Sequence, residues 1–358
     1  MSMESIQILG GNINSNINRI DFENLGFGEI FSDHMFSMEY KNEEWVLPQI
    51  IPFGRMEILP SICSLHYGQI VFEGLKAFRT EKGINIFRPE RYHQRLNKSC
   101  QRLCIPKIGY DIFIKGLEEL IKLDNKWVPK KKGYSLYIRP FVFGTDNFLG
   151  VKVSDTYRFL IITSPVGDYY KEGINPIKLM TSSKYVRSVK GGLGETKTPA
   201  NYAASLLPMQ EAKSKGFSQI LWLDGIERKY IEESGAMNIF FVIDNELITP
   251  LLDGNVLDGI TRDCVIKIAK DWGIKVIERK VTIDEIMSAS KNKILEDAFG
   301  TGTAAVISPV GEIKHKNSSI IINDGKIGQL SQQFYDEITA IQYGEKEDMF
   351  EWCHIVDV

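Results

Sequence analysis

The sequence has no apolar run near the roughly 20 residues that a membrane-spanning helix needs. Its longest stretches, such as 159–163 and 237–243, fall far short. It has no excess of one charge. Forty-three Lys and Arg stand against 46 Asp and Glu, a net −3, so no global basic field exists to hold nucleic acid. Cysteine is scarce: Cys63, Cys100, Cys104, Cys264 and Cys353 are the five in 358 residues. An odd number without a ladder of spacings excludes a disulfide framework and suits a reduced, intracellular protein. Residues 1–21 lack a basic stretch followed by an apolar core, so they do not read as a secretory signal. Arg19 is their one arginine, and with Glu4 and Asp21 they suit a transit peptide poorly. A cytoplasmic location is expected. There is no internal repeat. The one charge run, Lys130 to Lys132 between Pro129 and Gly133, reads as a solvated turn.

What is present is an ordinary globular composition, 43% hydrophobic and 25% charged. The length predicts about two domains and a core that needs no staples. Expected are an N-terminal domain over 1–165, a Gly-, Asn- and Tyr-bearing linker over 166–176, and a C-terminal domain over 177–358. In the first half, 77–79 and 84–87 read as a hairpin, 89–104 and 110–123 as amphipathic helices, and 135–143 and 157–163 as strands. In the second, 177–181 opens a strand. A loop with Gly191, Gly192 and Gly194 follows, then a helix over 199–215 with Thr198 placed to cap it. Strands are expected at 219–223, 229–232, 238–243 and 246–249, with Asp244-Asn245 as a tight turn. Helices at 260–272, 282–290 and 330–343 and a strand at 295–303 complete an α+β pattern, with no regular βαβ repeat.

Four segments carry side chains unusual for plain structure. In Lys197-Thr198-Pro199-Ala200-Asn201-Tyr202, a lysine precedes a helix start. The positive end of the helix eases loss of its proton, and a neutral amine can form a Schiff base. In Leu257-Asp258-Gly259-Ile260-Thr261-Arg262, a loop enters a helix whose first N–H groups suit a phosphate. In Phe299-Gly300-Thr301-Gly302-Thr303-Ala304, small residues let backbone N–H groups approach an anion. In 231–238, the pair Glu232-Glu233 runs into an apolar strand, where a buried carboxylate needs a partner such as a protonated pyridine nitrogen. Taken singly, each also reads as a capped helix, a turn or a surface lysine. No Walker loop or dinucleotide fingerprint is present. His93, Cys100 and Cys104 fall on one face of the 89–104 helix, but a structural zinc needs four ligands and no fourth is apparent. They read as core, and no metal is expected. Arg88, Arg91, Arg95 and Arg102 on that helix read mostly as a solvated face, with room for one turned inward onto a phosphate.

Together, and in order, these segments resemble the pyridoxal-phosphate-dependent aminotransferases of fold type IV, specifically the branched-chain amino-acid aminotransferases. Further matching stretches are Phe31-Ser32-Asp33-His34-Met35, His66-Tyr67, 72–78, Phe87-Arg88-Pro89, 102–106 and Tyr137-Ile138-Arg139-Pro140. The resemblance implies the two-domain, α+β, D-amino-acid-aminotransferase-like fold, with the active site between the domains. It implies pyridoxal 5'-phosphate as cofactor, a homodimer, and transfer of the amino group between leucine, isoleucine or valine and 2-oxoglutarate (yielding glutamate). Lys197 matches the catalytic lysine that binds the cofactor covalently and moves the proton. Arg95, Arg187, Tyr202, Glu233, Ile260, Thr261 and Thr303 match cofactor-binding positions, with Glu233 at the pyridine nitrogen and Arg95 at the phosphate. Phe31, Tyr67, Phe72, Tyr137, Arg139, Val151 and Ala304 match substrate-binding positions. Of these, Phe31, Phe72 and Val151 would form part of the apolar pocket, and Tyr67, Tyr137, Arg139 and the Thr303–Ala304 backbone the carboxylate end. Lys76 is a candidate for the second carboxylate of the acceptor, and equally a structural or exposed lysine. The sequence departs from the pattern in three places. Pro199 and Ala200 stand where two glycines are common, Ala305-Val306-Ile307-Ser308 replaces a redox Cys-x-x-Cys, and Ala236 replaces a hydroxyl residue. A D-amino-acid aminotransferase or an aminodeoxychorismate lyase would share the lysine, the glutamate and the phosphate cup. A non-catalytic binding protein is the reading from a different class.

Overall fold

A computed structural model describes residues 5–10, 15–167 and 175–358. They form two compact units. The first holds the described residues up to 167, Lys197–Pro199 and Ala340–Val358; the second holds the described residues to 196 and Ala200–Thr339. Most of the expected linker, 168–174, lies outside the described residues. Its first position, Val166, ends a strand.

The first unit is built on a nine-stranded sheet among the described residues. Its strands are β1 (Gln7–Ile8), β2 (His34–Lys41), β3 (Glu44–Pro52), β4 (Ile70–Phe72), β5 (Leu75–Thr80), β6 (Gly83–Phe87), β7 (Ser135–Gly144), β8 (Tyr157–Val166) and the C-terminal strand Cys353–Val356. The order is β1-β3-β2-β8-β7-β5-β6 and then the C-terminal strand, with β4 also paired to β7. The chain end thus closes the β6 edge, Cys353 opposite Phe87 and Val356 opposite Ile84. This is why a single cut near residue 170 does not separate the units: an unpaired β6 edge would expose its N–H and C=O groups. Helices α1 (Cys63–Tyr67), α2 (Pro89–Arg102) and α3 (Tyr110–Leu123) complete the unit. Phe113, Leu117, Leu120 and Ile121 form the buried stripe of α3, as the 3.6-residue period required. Helix α2 stops two residues before its expected end. Cys104 lies beyond it with φ 56°, so His93, Cys100 and Cys104 do not share one helix face. The His93 ring instead contacts the Ile108 carbonyl at 2.7 Å.

The second unit holds another nine-stranded sheet among the described residues. Its strands are β9 (Ile177–Thr181), β10 (Gln219–Leu223), β11 (Ile231–Ser234), β12 (Asn238–Ile243), β13 (Glu246–Thr249), β14 (Val276–Glu278), β15 (Leu295–Gly302), β16 (Val306–His315) and β17 (Ser318–Ile321). The order is β11-β10-β9-β16-β15-β12-β13-β14, with β17 on β16. Asp244 and Asn245 turn β12 into β13 with φ of 51° and 61°. Both values are positive, as a two-residue hairpin of mirror-image type demands. The single helix expected over 199–215 is two, α4 (Pro199–Ala203) and α5 (Leu206–Ser214). Pro208 is the reason: it has no N–H for the carbonyl four residues back, and its ring would press on it. Restarting the helix at Leu206 puts Pro208 in a first turn, where both faults are tolerated. The strand expected at 229–232 is displaced to Ile231–Ser234. Helices α6 (Ile260–Asp271), α7 (Ile283–Lys291) and α8 (Gln329–Gln342) follow expectation closely. Thr282 caps α7 through a bond from the Glu285 N–H.

Candidate active site

The expected residues fall into two sets, one on each unit. On the first, the segment carrying Lys197 is pinned by three hydrogen bonds. The Lys197 N–H donates to Ser99 Oγ at 2.9 Å and its carbonyl accepts from the Phe72 N–H at 3.1 Å. The Thr198 hydroxyl donates to the Ile70 carbonyl at 2.8 Å. The lysine backbone therefore runs beside β4, and its amine lies 5.3 Å from the centre of the Phe72 ring. The Arg139 guanidinium also stacks on Phe72, at 4.8 Å, and donates to Tyr137 Oη at 3.0 Å. Gly74 is demanded by this packing, because a Cβ there would meet Tyr137 Oη at 1.8 Å. Lys76, opposite Tyr137 in the sheet, is buried, which removes the reading of an exposed lysine. Phe31 stacks on Phe53 at 4.8 Å.

Arg95 is turned inward. Its Nε and Nη2 donate to the two oxygens of Glu73 at 2.8 and 2.9 Å, and both residues are buried. A bidentate pair of this kind fixes the guanidinium plane. Arg88 is also buried, stacked 5.0 Å from the Trp352 ring. Two arginines of the four therefore leave the solvated face. Glu73 and Ser99 had no role in the sequence reading. The one signal for Glu73 was its place inside the 72–78 stretch. Tyr67 and Val151 have other surroundings. The Tyr67 hydroxyl donates to the Leu149 carbonyl, and Val151 is 84% exposed.

On the second unit, Glu233 is buried at the middle of β11 and meets Arg187 Nη1 at 2.7 Å. The guanidinium supplies the counter-charge that a buried carboxylate needs. Arg187 also donates to the carbonyls of Gly194 and Asn255. The Asn201 amide ties the glycine loop to α4 through the carbonyls of Leu193 and Thr196, both at 2.8 Å. Three loops then meet around Met237 and Asn238. The Asn238 amide donates to the Leu257 carbonyl at 2.9 Å. A Cβ on Gly259 would strike Asn238 Oδ1 at 1.8 Å, and one on Gly300 would meet Met237 Cε at 3.0 Å. This packing sets the start of α6, with Ile260 and Thr261, beside the end of β15, which leads to Thr303 and Ala304. Gly259 heads α6 and has no side chain to cap it, so this helix start is suited to an anion.

The residues present fit a phosphorylated pyridine aldehyde. An acid is buried with a cation at its side, a glycine-headed helix start faces a second glycine turn, and a lysine backbone is fixed in place. Arg139 Nε on the first unit and Thr301 Oγ1 on the second are among the buried polar atoms of the described residues that have no hydrogen-bond partner within the protein.

The amino-transferase class IV family model matches residues 70–313. The chain belongs to the class IV aminotransferases, and within them to the branched-chain amino-acid aminotransferases. The branched-chain-amino-acid aminotransferase 2 of Bacillus subtilis (strain 168) is 53% identical over 334 residues, covering 93% of this chain and 92% of the relative. The T.th. branched-chain amino acid aminotransferase, solved with pyridoxamine 5'-phosphate, superposes with a TM-score of 0.76 at 28% identity, covering 92% of this chain and all of that one. The same enzyme complexed with N-(5'-phosphopyridoxyl)-L-glutamate gives 0.74 at 27% identity, with the same coverage. The fold-type IV architecture and the aminotransferase assignment expected from the sequence are therefore correct. No helix among the described residues is long and apolar enough to cross a membrane.

Proposed function

We propose that this aminotransferase binds pyridoxal 5'-phosphate through Lys197 and exchanges amino groups between leucine, isoleucine or valine and 2-oxoglutarate. The observation that carries the reading is the pinned Lys197 segment, whose amine is held at the Phe72 ring. Bound cofactor supplies an electron sink for charge developing at the substrate α-carbon. Lys197 Nζ would hold the cofactor and carry the α-proton between its two positions. Arg95, the α6 start at Ile260 and Thr261, and Thr303 would receive the phosphate. Glu233 would keep a proton on the ring nitrogen, and Tyr202 would pack on the cofactor. Arg139, Tyr137 and the Thr303–Ala304 backbone would orient the substrate carboxylate. Phe31 and Phe72 would exclude water from the aliphatic side chain. The amino group would stay with the loaded enzyme while the first oxo acid leaves and the second enters the same pocket, which makes the cycle ping-pong. The glutamate adduct of the T.th. enzyme supports the second substrate.

Turnover with 2-oxoglutarate distinguishes this reading from its rival within the fold type. Leucine is expected to be consumed and D-alanine left untouched; D-alanine turnover without leucine turnover rejects the proposal. Supplying cofactor to the assay separates a wrong substrate from an empty protein.

We also propose a homodimer in the cytoplasm. Leu65, Leu149 and Val151 are each more than 60% exposed, and apolar residues grouped in this way on the Tyr67 side of the unit mark an interface. The five cysteines are free, which supports a reducing compartment. Sedimentation at micromolar concentration should give about twice the 40.7 kDa chain mass. A single 40.7 kDa species at every concentration rejects the dimer.

A further inference from the structure

Glu232, the neighbour of Glu233, has no part in the chemistry above, yet it is as buried as the groups that do. It is 5% exposed. Its Oε1 accepts from the Asn255 side-chain amide at 2.9 Å, and its Oε2 is buried without a partner. The main chain of Asn255 continues the connection. Its carbonyl accepts from the Ser188 hydroxyl at 2.9 Å and from Arg187 Nη1 at 3.4 Å. Arg187 Nη1 in turn meets Glu233. Asn255 and Arg187 thus link the two adjacent acids by a route that leaves β11 and returns to it.

We infer that Glu232 is a positioning residue: through Asn255 it sets Arg187 against Glu233, and so governs how tightly the ring nitrogen of the cofactor is held. The inference rests on the reading of Glu233 given above.

The surroundings say which form of Glu232 does this. Burial pushes its carboxyl up to about 7, and Glu233, Asp224 and Asp253 push the same way, against the Asn255 hydrogen bond. Lys190, Lys280, Tyr230 and Glu227 line the small cavity on that side. The two lysines are exposed, with water to screen them. The folded value lies above the ordinary 4.5, so the neutral form is the one the fold favours. Its benefit is complete below about 4.5 and is lost as pH rises through about 7. Above that, a second negative charge competes with Glu233 for Arg187.

The test follows cofactor release from the purified holoenzyme, by absorbance after dilution into cofactor-free buffer, between about pH 5.5 and 8.5, a range that brackets the Glu232 titration. In the parent, release should accelerate with an inflection near 7. Glu232→Ala removes the Asn255 bond and should speed release about tenfold at about pH 6, the size of one buried hydrogen bond to an acid. Glu232→Gln keeps an acceptor without the titration. It should restore release to within about twofold of the parent at that pH, and its profile should be flat. Parent-like release from Glu232→Ala, or an inflection near 7 that persists in Glu232→Gln, overturns the inference. If Glu232→Ala does not fold, the Glu232→Gln profile decides alone. Glu233→Ala is the control: if its cofactor is held like the parent's, the ring-nitrogen reading itself is wrong, a failure distinct from that of Glu232.

Discussion

Replacing Lys197 by alanine should lower kcat by at least ~10⁴-fold, because one change removes both the covalent attachment and the proton carrier. Borohydride should no longer fix the cofactor to the chain. The fold should survive. The hydrogen bonds that seat this segment run through the Lys197 main chain, to Ser99 and Phe72, and alanine keeps them. The side chain is only half-buried, so the thermal midpoint should move by no more than about 2 °C. Arginine at 197 is the companion variant. It retains a cation beside the Phe72 ring but cannot form the carbon–nitrogen double bond, so it should be as inactive as alanine. If Lys197→Arg retained a tenth of parental turnover, charge and not covalent chemistry would be the role of this residue. If Lys197→Ala did, the proposed function would fall.

The helix start after Lys197 was legible in the sequence because its signal is local, a proline at the first position; the role of the lysine itself is what the family resemblance implies. The α3 stripe and the Asp244-Asn245 turn were legible for the same reason. Each depends on residues within a few positions of one another. The missed features are those made by distant pairs. Nothing near Glu73 announces that Arg95, 22 residues on, will meet it in the core. Nothing near residue 353 announces that the chain end will pair with β6, far back in the chain. Pro208 is the exception, a local signal misread. The single helix expected over 199–215 runs straight through it, whereas the structure starts a new helix to accommodate it. Val151 shows another limit. The family pattern gives it a role in an apolar wall, while within this single chain it stands in solvent. In the proposed homodimer its neighbours would belong to the second copy, and a single chain carries no internal trace of such neighbours.

Among structural substitutions, Glu73→Ala should have the largest effect. Glu73 is fully buried and Arg95 is 8% exposed, so removing the carboxylate leaves a guanidinium in the core with its main counter-charge gone. Breaking a buried pair in this way costs roughly 3–5 kcal/mol, far more than the pair itself contributes against an apolar replacement. The same change frees the Arg95 plane, so cofactor release should also quicken. These two consequences are separable. In the double variant Glu73→Leu with Arg95→Met, no unpaired charge remains and the volume is kept. Its urea midpoint should return most of the way to the parent's, while its hold on the cofactor should be worse than that of Glu73→Ala, because the phosphate has lost its arginine. Restored stability with weakened cofactor binding is the outcome that assigns Glu73 to Arg95 and Arg95 to the phosphate. If the double variant is as unstable as the two single changes summed, the pair is not coupled, and the inward turn of Arg95 has a different cause. If it holds the cofactor as the parent does, Arg95 does not touch the phosphate, and the cup must be closed by α6 and the β15 turn alone.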